Sequence, residues 1–377
     1  MHIVHLYDTL DPRNGGPPFV IAGLAEGQRR LGHEITLVST DPAQSDPVDG
    51  FLRDHILGPY RRISCPLPQG LPALTRVLRR ADGVHLHGLW PPLVNAAARL
   101  CRLQRVPYVF APHGMLSPAN FGRKALKKQV AMKALGYRDV IRRAGAVHTL
   151  NTREAAAVAE WGLVKPERIH VLPNGVMPET FERLPAPGRF RFFHREVGQD
   201  PFVLYLGRLH AQKGLDLLAR AFAQVTERHE TVRLVVAGPD KGYKSDLEAL
   251  VAELGITDRV HFIGPTFGTD KLQALVDSAL FCLTSREEGF SMAITEALAC
   301  GKPAVVTETC NFPEVAEADA GRVVALDPPA IAEALLEVLE HTDREAMGAR
   351  GRDLVLERFT WPAIAARSIK LYESARR

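Results

Sequence analysis

Short apolar strands alternate with helical stretches from the first residue onward, and this alternation constrains the fold more than any other feature of the chain. His2–Leu6 and Glu34–Ser39 have the composition of buried strands, and residues 18–31 between them show helical periodicity, with proline in the first turn and Gly32 just past the end. Further short strands are predicted at 84–87, 108–111 and 146–150. Because strands that alternate with helices form parallel sheets, we predict a parallel α/β domain.

The alternation pauses near residues 171–175, and the stretch 177–200, which is rich in Pro, Arg and Phe, indicates a linker. It then starts again, with strands predicted at 201–207, 232–237, 260–263, 279–284 and 304–307. At 377 residues the chain is also too long for one typical core. We therefore predict two Rossmann-like, doubly wound α/β domains, 1–173 and 174–358, that face each other across a cleft.

Composition and missing motifs exclude several classes of protein. With 46% hydrophobic and 24% charged residues the chain is typical of a globular protein. The sequence contains no Gly-x-Gly-x-x-Gly turn, Walker loop or His-Glu-x-x-His helix, so nicotinamide, P-loop ATP and zinc-peptidase chemistry have no support. No apolar run is long enough to span a membrane, and the N-terminus has no charged leader. Five scattered cysteines without a Cys-x-x-Cys pair predict neither disulfides nor a zinc knuckle, so we expect a cytoplasmic protein.

The two halves of the chain differ in charge. Residues 1–188 carry 24 Lys and Arg against 15 Asp and Glu, whereas residues 189–377 carry 23 against 28. Part of the basic excess lies in one amphipathic segment, whose cations are Arg123, Lys124, Lys127, Lys128, Lys133, Arg138, Arg142 and Arg143. Such a segment attracts an anionic membrane surface or a phosphate-bearing acceptor, and a solvated helix face explains it equally well. Without aromatic interleaving or a known motif, nucleic acid is not an expected partner.

Two carboxylates flank a glycine turn in the second half. Glu288 lies in a predicted loop after the strand 279–284, and Glu296 lies on a predicted helix that Ser291 caps and that ends at Gly301. A helix N-terminus offers N–H groups and a positive dipole to an anion, so a diphosphate fits between the two glutamates. Each ionised carboxylate would accept hydroxyl hydrogen bonds, one set from a sugar and one from a ribose. Alone, the pair is equally consistent with two surface charges.

Two other predicted strand ends carry groups suited to phosphate. Arg208 and Lys213 lie on the loop that follows the first strand of the second domain, and a helix starts at Gly214. Two cations beside a helix N-terminus form a clamp for a diphosphate. In the first domain, Gly15 and Gly16 permit close approach of a phosphate to backbone N–H groups, although a plain turn explains these glycines nearly as well.

Histidines end two of the strands predicted in the first domain. His113 stands beside Gly114 and can donate to or accept from a sugar hydroxyl; the alternative is a structural histidine bonded to a carbonyl. His85 and His87 share one face of their strand because they are two residues apart. Two histidines make no zinc site, and we interpret this pair as part of an acceptor-side or interdomain surface.

Together these residues closely resemble the retaining family 4 glycosyltransferases of the GT-B fold. The resemblance rests on Arg208 with Lys213 and Gly214, on the Glu288–Glu296 spacing with Gly289 and Phe290, on the Gly15-Gly16 turn and on Pro112-His113-Gly114. It covers nearly the whole chain. The sequences His-Gly-Leu-Trp and Pro-His-Gly-Met resemble the members that build bacterial cell-surface polysaccharides. The end of the chain, 359–377, resembles the family's last helix, which crosses back to the N-terminal domain.

The resemblance implies a role for each matching residue. Glu288 would hold hydroxyls of the donor sugar, and Glu296 would accept from the ribose of a UDP- or GDP-linked donor. Arg208 and Lys213 would neutralise the diphosphate, and His113 would approach the donor sugar near its reacting face. The N–H groups near Gly15, Gly16, Gly289 and Phe290 would complete the phosphate site. No cofactor and no metal would be required.

The resemblance therefore implies transfer of a sugar from a nucleotide diphosphate sugar to a glycan or lipid-linked acceptor, with peripheral contact at the inner face of the membrane. Three alternatives remain open at this point. A nucleotide-sugar epimerase would give product without an acceptor. A phosphorylase would need a cofactor-binding lysine motif that we do not find. A non-catalytic nucleotide-sugar-binding protein would bind without turnover.

Overall fold

The computed structural model describes residues 1–116, 132 and 135–376, and the chain folds as two compact units. The first unit comprises Met1–Met177 together with the chain from Thr360 onward, and the second comprises Pro178–Phe359. We predicted the boundary between residues 173 and 174, and the structure divides the chain between Met177 and Pro178.

The first unit is built on a parallel sheet in the order β3-β2-β1-β4-β5-β6-β7. Its strands are β1 His2–Leu6, β2 Glu34–Ser39, β3 Arg61–Ser64, β4 Gly83–His87, β5 Tyr108–Ala111, β6 Ala146–Thr149 and β7 Ile169–Val171. Its helices before the linker are α1 Gly16–Arg30, α2 Asp46–His55, α3 Leu71–Arg79, α4 Pro92–Gln104, α5 Tyr137–Arg142 and α6 Thr152–Glu160. The strand order reverses between β1 and β4, which lie side by side in the middle of the sheet.

The second unit repeats this architecture with the order β10-β9-β8-β11-β12-β13. Its strands are β8 Phe202–Leu206, β9 Arg233–Ala237, β10 Val260–Gly264, β11 Leu280–Leu283, β12 Ala304–Thr307 and β13 Gly321–Val324. Its helices are α7 Arg189–Phe193, α8 Leu215–Arg228, α9 Lys244–Glu253, α10 Gly268–Asp277, α11 Met292–Ala299, α12 Glu314–Glu317, α13 Pro328–Glu340 and α14 Arg344–Arg358. The predicted pair of parallel α/β units is confirmed.

The last helix, α15 Trp361–Ala375, packs against α1 of the first unit. Close approach requires glycine on α1, since a Cβ atom at Gly23 would lie 2.1 Å from the Trp361 ring and one at Gly27 would lie 2.6 Å from the Trp361 carbonyl oxygen. The Thr360 side chain caps the helix by accepting from the backbone of Ala363. The final segment of the chain is therefore an integral part of the first unit.

Both faces of the first sheet are covered, as expected for a parallel sheet. Val4 and Leu6 belong to the core cluster that includes residues of α3 and α4, whereas Ile3 belongs to the cluster that includes residues of α1 and α15. Side chains along a strand alternate between faces, so His5 lies on the same face as Ile3. This face, beneath α1 and α15, holds several buried polar side chains, among them His5, His85 and His87.

Candidate donor-binding site

In the second unit the strand order reverses between β8 and β11, which are neighbours in the sheet. Open parallel sheets bind ligands at the carboxyl ends of the strands where the order reverses. The loop after β8 carries Arg208 and Lys213, and the loop after β11 carries Glu288. The topology thus brings together two groups that are far apart in the sequence.

Lys213 and Glu288 form an ion pair between Nζ and Oε1. Ser285 donates from its hydroxyl to the same carboxylate oxygen, at 2.6 Å. Only 16% of the Lys213 side chain and 10% of the Glu288 side chain are exposed, so solvent screens the pair weakly. The backbone of Glu288 is also held, because its N–H donates to Thr309 and its carbonyl accepts from Asn311 at 2.6 Å. The Glu288 carboxylate is therefore held in place where the two loops meet.

Gly214 lets the loop of Lys213 lie directly on the end of β11. Its φ is +63°, and a Cβ atom there would lie 2.0 Å from the carbonyl oxygen of Thr284. The Thr284 hydroxyl donates to the Gly214 carbonyl at 2.9 Å. The predicted glycine at the start of α8 thus has a steric reason, since any side chain at this position would separate the two loops.

A second ion pair joins the same two segments. Arg286 binds the Asp216 carboxylate through two guanidinium nitrogens at 2.8 and 2.6 Å, and it also donates to the Ala211 carbonyl. Burial raises the pKa of Asp216, but the hydrogen bonds and charge of Arg286 outweigh it, and the net pKa is lowered. No sequence pattern predicts this pair, because Arg286 and Asp216 resemble ordinary surface charges until the fold brings their segments together.

Arg208 is exposed and forms no ion pair with any residue that the structure describes. Its backbone is held, because the Tyr205 hydroxyl donates to the Arg208 carbonyl at 2.9 Å. The predicted clamp is therefore split, with Lys213 engaged by Glu288 and the Arg208 guanidinium at the surface.

Glu296 lies on α11 and pairs with Lys271 of α10 at 2.7 Å. The Ser291 hydroxyl accepts from the backbone of Ile294, so Ser291 is the N-cap that the sequence predicted. Sequence reasoning missed Lys271 as a member of the site, since it precedes Glu296 by 25 residues and looks like any exposed helical lysine. Glu296 is thus a partly buried carboxylate that forms an ion pair with Lys271.

Phe290 packs by its ring rather than standing free in the loop. Its ring centroid lies 5.4 Å from that of Phe312 and 6.1 Å from that of Phe359. This cluster anchors the turn that carries Gly289 and leads into α11. The turn directly follows Glu288, the partner of Lys213, and phosphate binding by the N–H groups near Gly289 and Phe290 stays a prediction.

Gly15 and Gly16 lie at the start of α1, after β1. Gly15 has a φ of +112°, which favours glycine, whereas a Cβ atom at either position would meet no atom of the described residues within 4 Å. In the part of the chain that the structure describes, no side chain caps α1 at this end. The glycine turn thus lies at the switch point of the first sheet, and phosphate binding there stays a prediction.

His113 follows β5 and has a left-handed backbone with a φ of +50°. Its Nε2 lies 2.9 Å from His87 Nδ1. Part of the residue is accessible to solvent, but burial of the ring lowers its pKa to about 3, with a smaller contribution from His148. The loop is fixed by the buried Glu154, which accepts from the Gly114 N–H at 2.5 Å. His113 is therefore a neutral group at a strand end.

His85 and His87 are fully buried, so our interpretation of this pair as part of a surface was wrong. They do share one face of β4, with ring centroids 4.2 Å apart, but that face is covered by α1 and α15. Two further histidines that the sequence analysis did not single out, His5 and His148, join them on the same face. Strand periodicity predicted the shared face correctly and could not show that the face is covered.

Most of the basic segment lies outside the described residues. Of its eight cations the structure describes Arg138, Arg142 and Arg143, all exposed, and Arg142 pairs with Asp139. Membrane contact by this segment stays a prediction. Among the helices that the structure describes, none is long and apolar enough to cross a membrane.

Each of the two units matches a known protein family. Residues 15–175 match the model of the glycosyl transferase 4-like domain, and residues 188–354 match that of the glycosyl transferases group 1. The GDP-mannose:cellobiosyl-diphosphopolyprenol alpha-mannosyltransferase of Xanthomonas oryzae is 27% identical, covering 100% of this chain and 97% of that protein. The D-inositol 3-phosphate glycosyltransferase of Stackebrandtia nassauensis is 28% identical over 89% of this chain and 80% of its own length.

Solved structures agree in fold. Anabaena HepE in complex with UDP superimposes with a TM-score of 0.80 at 20% identity, over 99% of this chain and 100% of that one. WaaG, a glycosyltransferase involved in lipopolysaccharide biosynthesis, superimposes with a TM-score of 0.66 at 17% identity, over 98% and 99% of the two chains.

Proposed function

Because the chain belongs to the group 1 glycosyltransferases of the GT-B fold, we propose that it transfers a sugar from a nucleotide diphosphate sugar to a glycan or lipid-linked acceptor with retention of anomeric configuration. The observation that carries the proposal is the pairing of Lys213 with Glu288 where the strand order of the second unit reverses. A cation and a carboxylate at one strand end suit a ligand that has phosphate and hydroxyl groups close together.

Donor binding exchanges partners within this pair. An arriving diphosphate competes for the Lys213 ammonium, which frees lone pairs of Glu288 to accept hydrogen bonds from sugar hydroxyls. Ser285 and the backbone contacts of Glu288 keep its carboxylate in place during the exchange. The ion pair therefore holds both side chains ready in the absence of donor.

Lys213 and Arg208 then act on the leaving group. Negative charge grows on the diphosphate as the bond to the sugar breaks, so cations placed there stabilise the transition state more than the ground state. The exposed Arg208 guanidinium is available for this contact. Two such cations neutralise the diphosphate without a metal, and we propose a metal-independent reaction.

The nucleotide lies on the other side of the turn, against Glu296. Its carboxylate accepts from the ribose hydroxyls, and Lys271 orients it. Backbone N–H groups near Gly289 and Phe290 complete the phosphate contacts within this unit. For Gly15 and Gly16 of the first unit we propose phosphate binding through their own backbone N–H groups. We propose UDP or GDP as the nucleotide, since HepE binds UDP and the Xanthomonas relative is named for GDP-mannose.

His113 contacts the donor sugar near its reacting carbon. Retention without an enzyme nucleophile then proceeds by front-face attack, in which the acceptor hydroxyl attacks C1 on the side of the leaving group and gives its proton to a phosphate oxygen. This route differs from that of retaining hydrolases, where a second carboxylate attacks the sugar. Glu288 serves as a hydroxyl ligand in this scheme.

The acceptor is proposed to be a glycan or a lipid-linked sugar of bacterial surface polysaccharide synthesis. The name of the Xanthomonas relative specifies a diphosphopolyprenol-linked acceptor, which supports this class. A cytoplasmic enzyme whose basic segment contacts the anionic inner face of the membrane would meet such an acceptor.

The test is incubation of the purified chain with UDP, GDP, ADP and dTDP sugars, with and without a polyprenyl-diphosphate-linked glycan, followed by mass spectrometry of nucleotide and sugar products. The proposal predicts release of nucleoside diphosphate from one donor class and a heavier acceptor whose new bond keeps the donor's anomeric configuration by NMR. Isomerised donor formed without acceptor would instead show an epimerase. Binding without turnover across the panel would show a non-catalytic protein.

A further inference from the structure

A continuous polar network runs through the interior of the first unit, on the face of the sheet covered by α1 and α15. His5 of β1 and His85 of β4 are register partners, and His87 and His148 lie on the same face. The network continues to His113 at the end of β5, so it connects the buried face with the predicted sugar contact.

One end of the network fixes the direction of its hydrogen bonds. His148 Nε2 lies 2.8 Å from the carbonyl oxygen of Leu172, which can only accept, so Nε2 carries the proton and Nδ1 is an acceptor. His85 Nε2, 3.2 Å from that Nδ1, must then donate, which leaves His85 Nδ1 as an acceptor. The Tyr372 hydroxyl, 3.0 Å away, donates to it.

The amide of Gln28 is oriented by two hydroxyls of α15. Since the Tyr372 proton goes to His85, the Tyr372 oxygen accepts from Gln28 Nε2 at 3.1 Å. Ser368 donates to the Ala365 carbonyl, so its oxygen also accepts from Gln28 Nε2, at 2.8 Å. The Gln28 carbonyl oxygen is therefore the end of the amide that faces His5.

The orientation of the Gln28 amide then determines the direction of each hydrogen bond from His5 through His87 to His113. His5 Nε2 donates to Gln28 Oε1 at 2.7 Å, which leaves His5 Nδ1 to accept from His87 Nε2 at 3.0 Å. His87 Nδ1 in turn accepts from His113 Nε2 at 2.9 Å. A neutral imidazole has one donor and one acceptor, so the lone pair of His113 lies on Nδ1. Within the described part of the chain, no group hydrogen-bonds to that atom.

The reverse direction would fail at both ends. It would set the lone pair of His148 Nε2 against the Leu172 carbonyl, and it would take the Ser368 proton away from Ala365. Buried acceptors that face each other lose a hydrogen bond and keep the cost of desolvation. The backbone carbonyls of Leu172 and Ala365 thus determine the tautomer of His113, although neither of them contacts it.

We propose that Gln28, His5 and His87 are positioning residues that hold His113 with its proton on Nε2, so that His113 presents only a hydrogen-bond acceptor, Nδ1, to a hydroxyl of the bound sugar. The tautomer follows from the contacts within the first unit, whereas the hydroxyl contact rests on the proposed function. His113 therefore selects for a donor sugar that has a hydroxyl, rather than an acceptor-only group, at that position.

His5, His85 and His87 also have ring nitrogens within 4.8 Å of one another. The lone pair of His5 Nδ1 and the proton of His87 Nε2 are, however, engaged with each other, and His85 is engaged by Tyr372 and His148. The contacts thus favour a hydrogen-bond network over a metal site.

The test is long-range ¹H–¹⁵N correlation NMR on the full chain labelled with ¹⁵N-histidine, without ligand. In wild type we expect His113 as a single tautomer with the proton on Nε2, and the same for the four histidines connected to it. A proton on Nδ1 of His113, or a mixture, would overturn the proposal whether or not the protein turns over a sugar donor.

Two variants separate the tautomer from stability. His87→Leu removes the partner of His113 Nε2 and should give a mixture of His113 tautomers, whereas His148→Leu, also a buried histidine, should leave His113 unchanged because Ser368 still orients Gln28. His87→Gln keeps a donor and an acceptor and should restore the single tautomer. If His113 stays a single Nε2–H tautomer in His87→Leu, or if purified wild type holds a stoichiometric metal that His87→Leu loses, the proposal is wrong.

Turnover of UDP-glucose and GDP-mannose then tests the role at the ligand. We expect kcat/KM with the donor that is used to fall about tenfold in His87→Leu, the size of one hydrogen bond, and less in His87→Gln and His148→Leu. An altered tautomer with unchanged kcat/KM would overturn the sugar contact. If wild type turns over neither donor, the proposed function fails for these donors, and the NMR result still decides the tautomer.

Discussion

Lys213 and Glu288 form an ion pair across the two loops that follow neighbouring strands of the second unit, although they lie 75 residues apart in the chain. Neither residue has a local reason to be near the other. The parallel sheet brings them together because β8 and β11 are adjacent where the strand order reverses. A single topological feature thus creates the charge arrangement on which the proposed donor site depends.

Gly214→Ala should destabilise the second unit by about 2–5 kcal/mol, from left-handed strain and overpacking together. The new methyl group would lie 2.0 Å from the Thr284 carbonyl oxygen. Gly242→Ala is the matched control, because Gly242 also has a positive φ but has open space around it, and strain alone predicts about 1–2 kcal/mol. Urea unfolding of both variants measures the difference. Equal losses would show that the loop does not rest on β11.

Glu296→Gln should weaken nucleotide binding, because the ribose loses a hydrogen bond to a charged group, which contributes about 1.5–3 kcal/mol. Isothermal titration with UDP and GDP measures this loss, and Glu317→Gln, on an exposed helical position, is the control. The effect should disappear with a 2′,3′-dideoxy nucleotide. If Glu296→Gln weakens the dideoxy nucleotide equally, Glu296 does not bind the ribose.

The free energy of unfolding should fall as pH falls below about 6.5. Burial lowers the pKa of His5 and of His148 from 6.5 to about 4, so between these values the unfolded chain binds more protons than the folded chain. Each of the two histidines then contributes about 1.4 kcal/mol of lost stability per pH unit. Urea unfolding across this range should show a slope that decreases by that amount in His148→Asn. An unchanged slope in His148→Asn would contradict the assignment.

Gly23→Ala should destabilise the first unit by about 1–3 kcal/mol through overpacking, because the Cβ atom would lie 2.1 Å from the Trp361 ring. Gly50→Ala, on helix α2 with open space around it, should instead stabilise by about 0.5–1 kcal/mol. Thermal unfolding compares the two. A neutral Gly23→Ala would mean that α15 does not pack closely on α1.

The sequence predicted the interior of each sheet better than its edges. The predicted strands Glu34–Ser39, Tyr108–Ala111 and Ala304–Thr307 match the structure, and all of their residues except Glu34 are buried. We did not predict β3, β7 and β13, which all lie at sheet edges. Residues in these strands are partly exposed, so their sequences lack the continuous apolar pattern of a buried strand. Edge strands are defined by the neighbour that they pair with, which lies elsewhere in the sequence.

The same distinction applies to the site. Lys213 and Glu288 could be identified from the sequence because each lies in a predicted loop next to a glycine. Lys271 and Arg286 could not, because their contacts are with residues far away in the sequence. We predicted correctly that His85 and His87 share one face of their strand, but we predicted that this face is part of a surface and it is buried. Strand periodicity cannot show that α1 and α15 cover that face. Residue type and spacing therefore identify candidate groups, and the topology decides what they contact.

The most direct test of the donor site is the turnover of Lys213→Ala with the nucleotide sugar that wild type uses. The account predicts that kcat falls by about 10²–10³, as when one preorganised donor to a developing charge is removed, while KM changes much less. Lys241→Ala, an exposed lysine of the same unit, is the control for lost charge and should keep wild-type kcat. A Lys213→Ala variant that folds and keeps the kcat of Lys241→Ala would contradict the assignment of Lys213 to the leaving diphosphate.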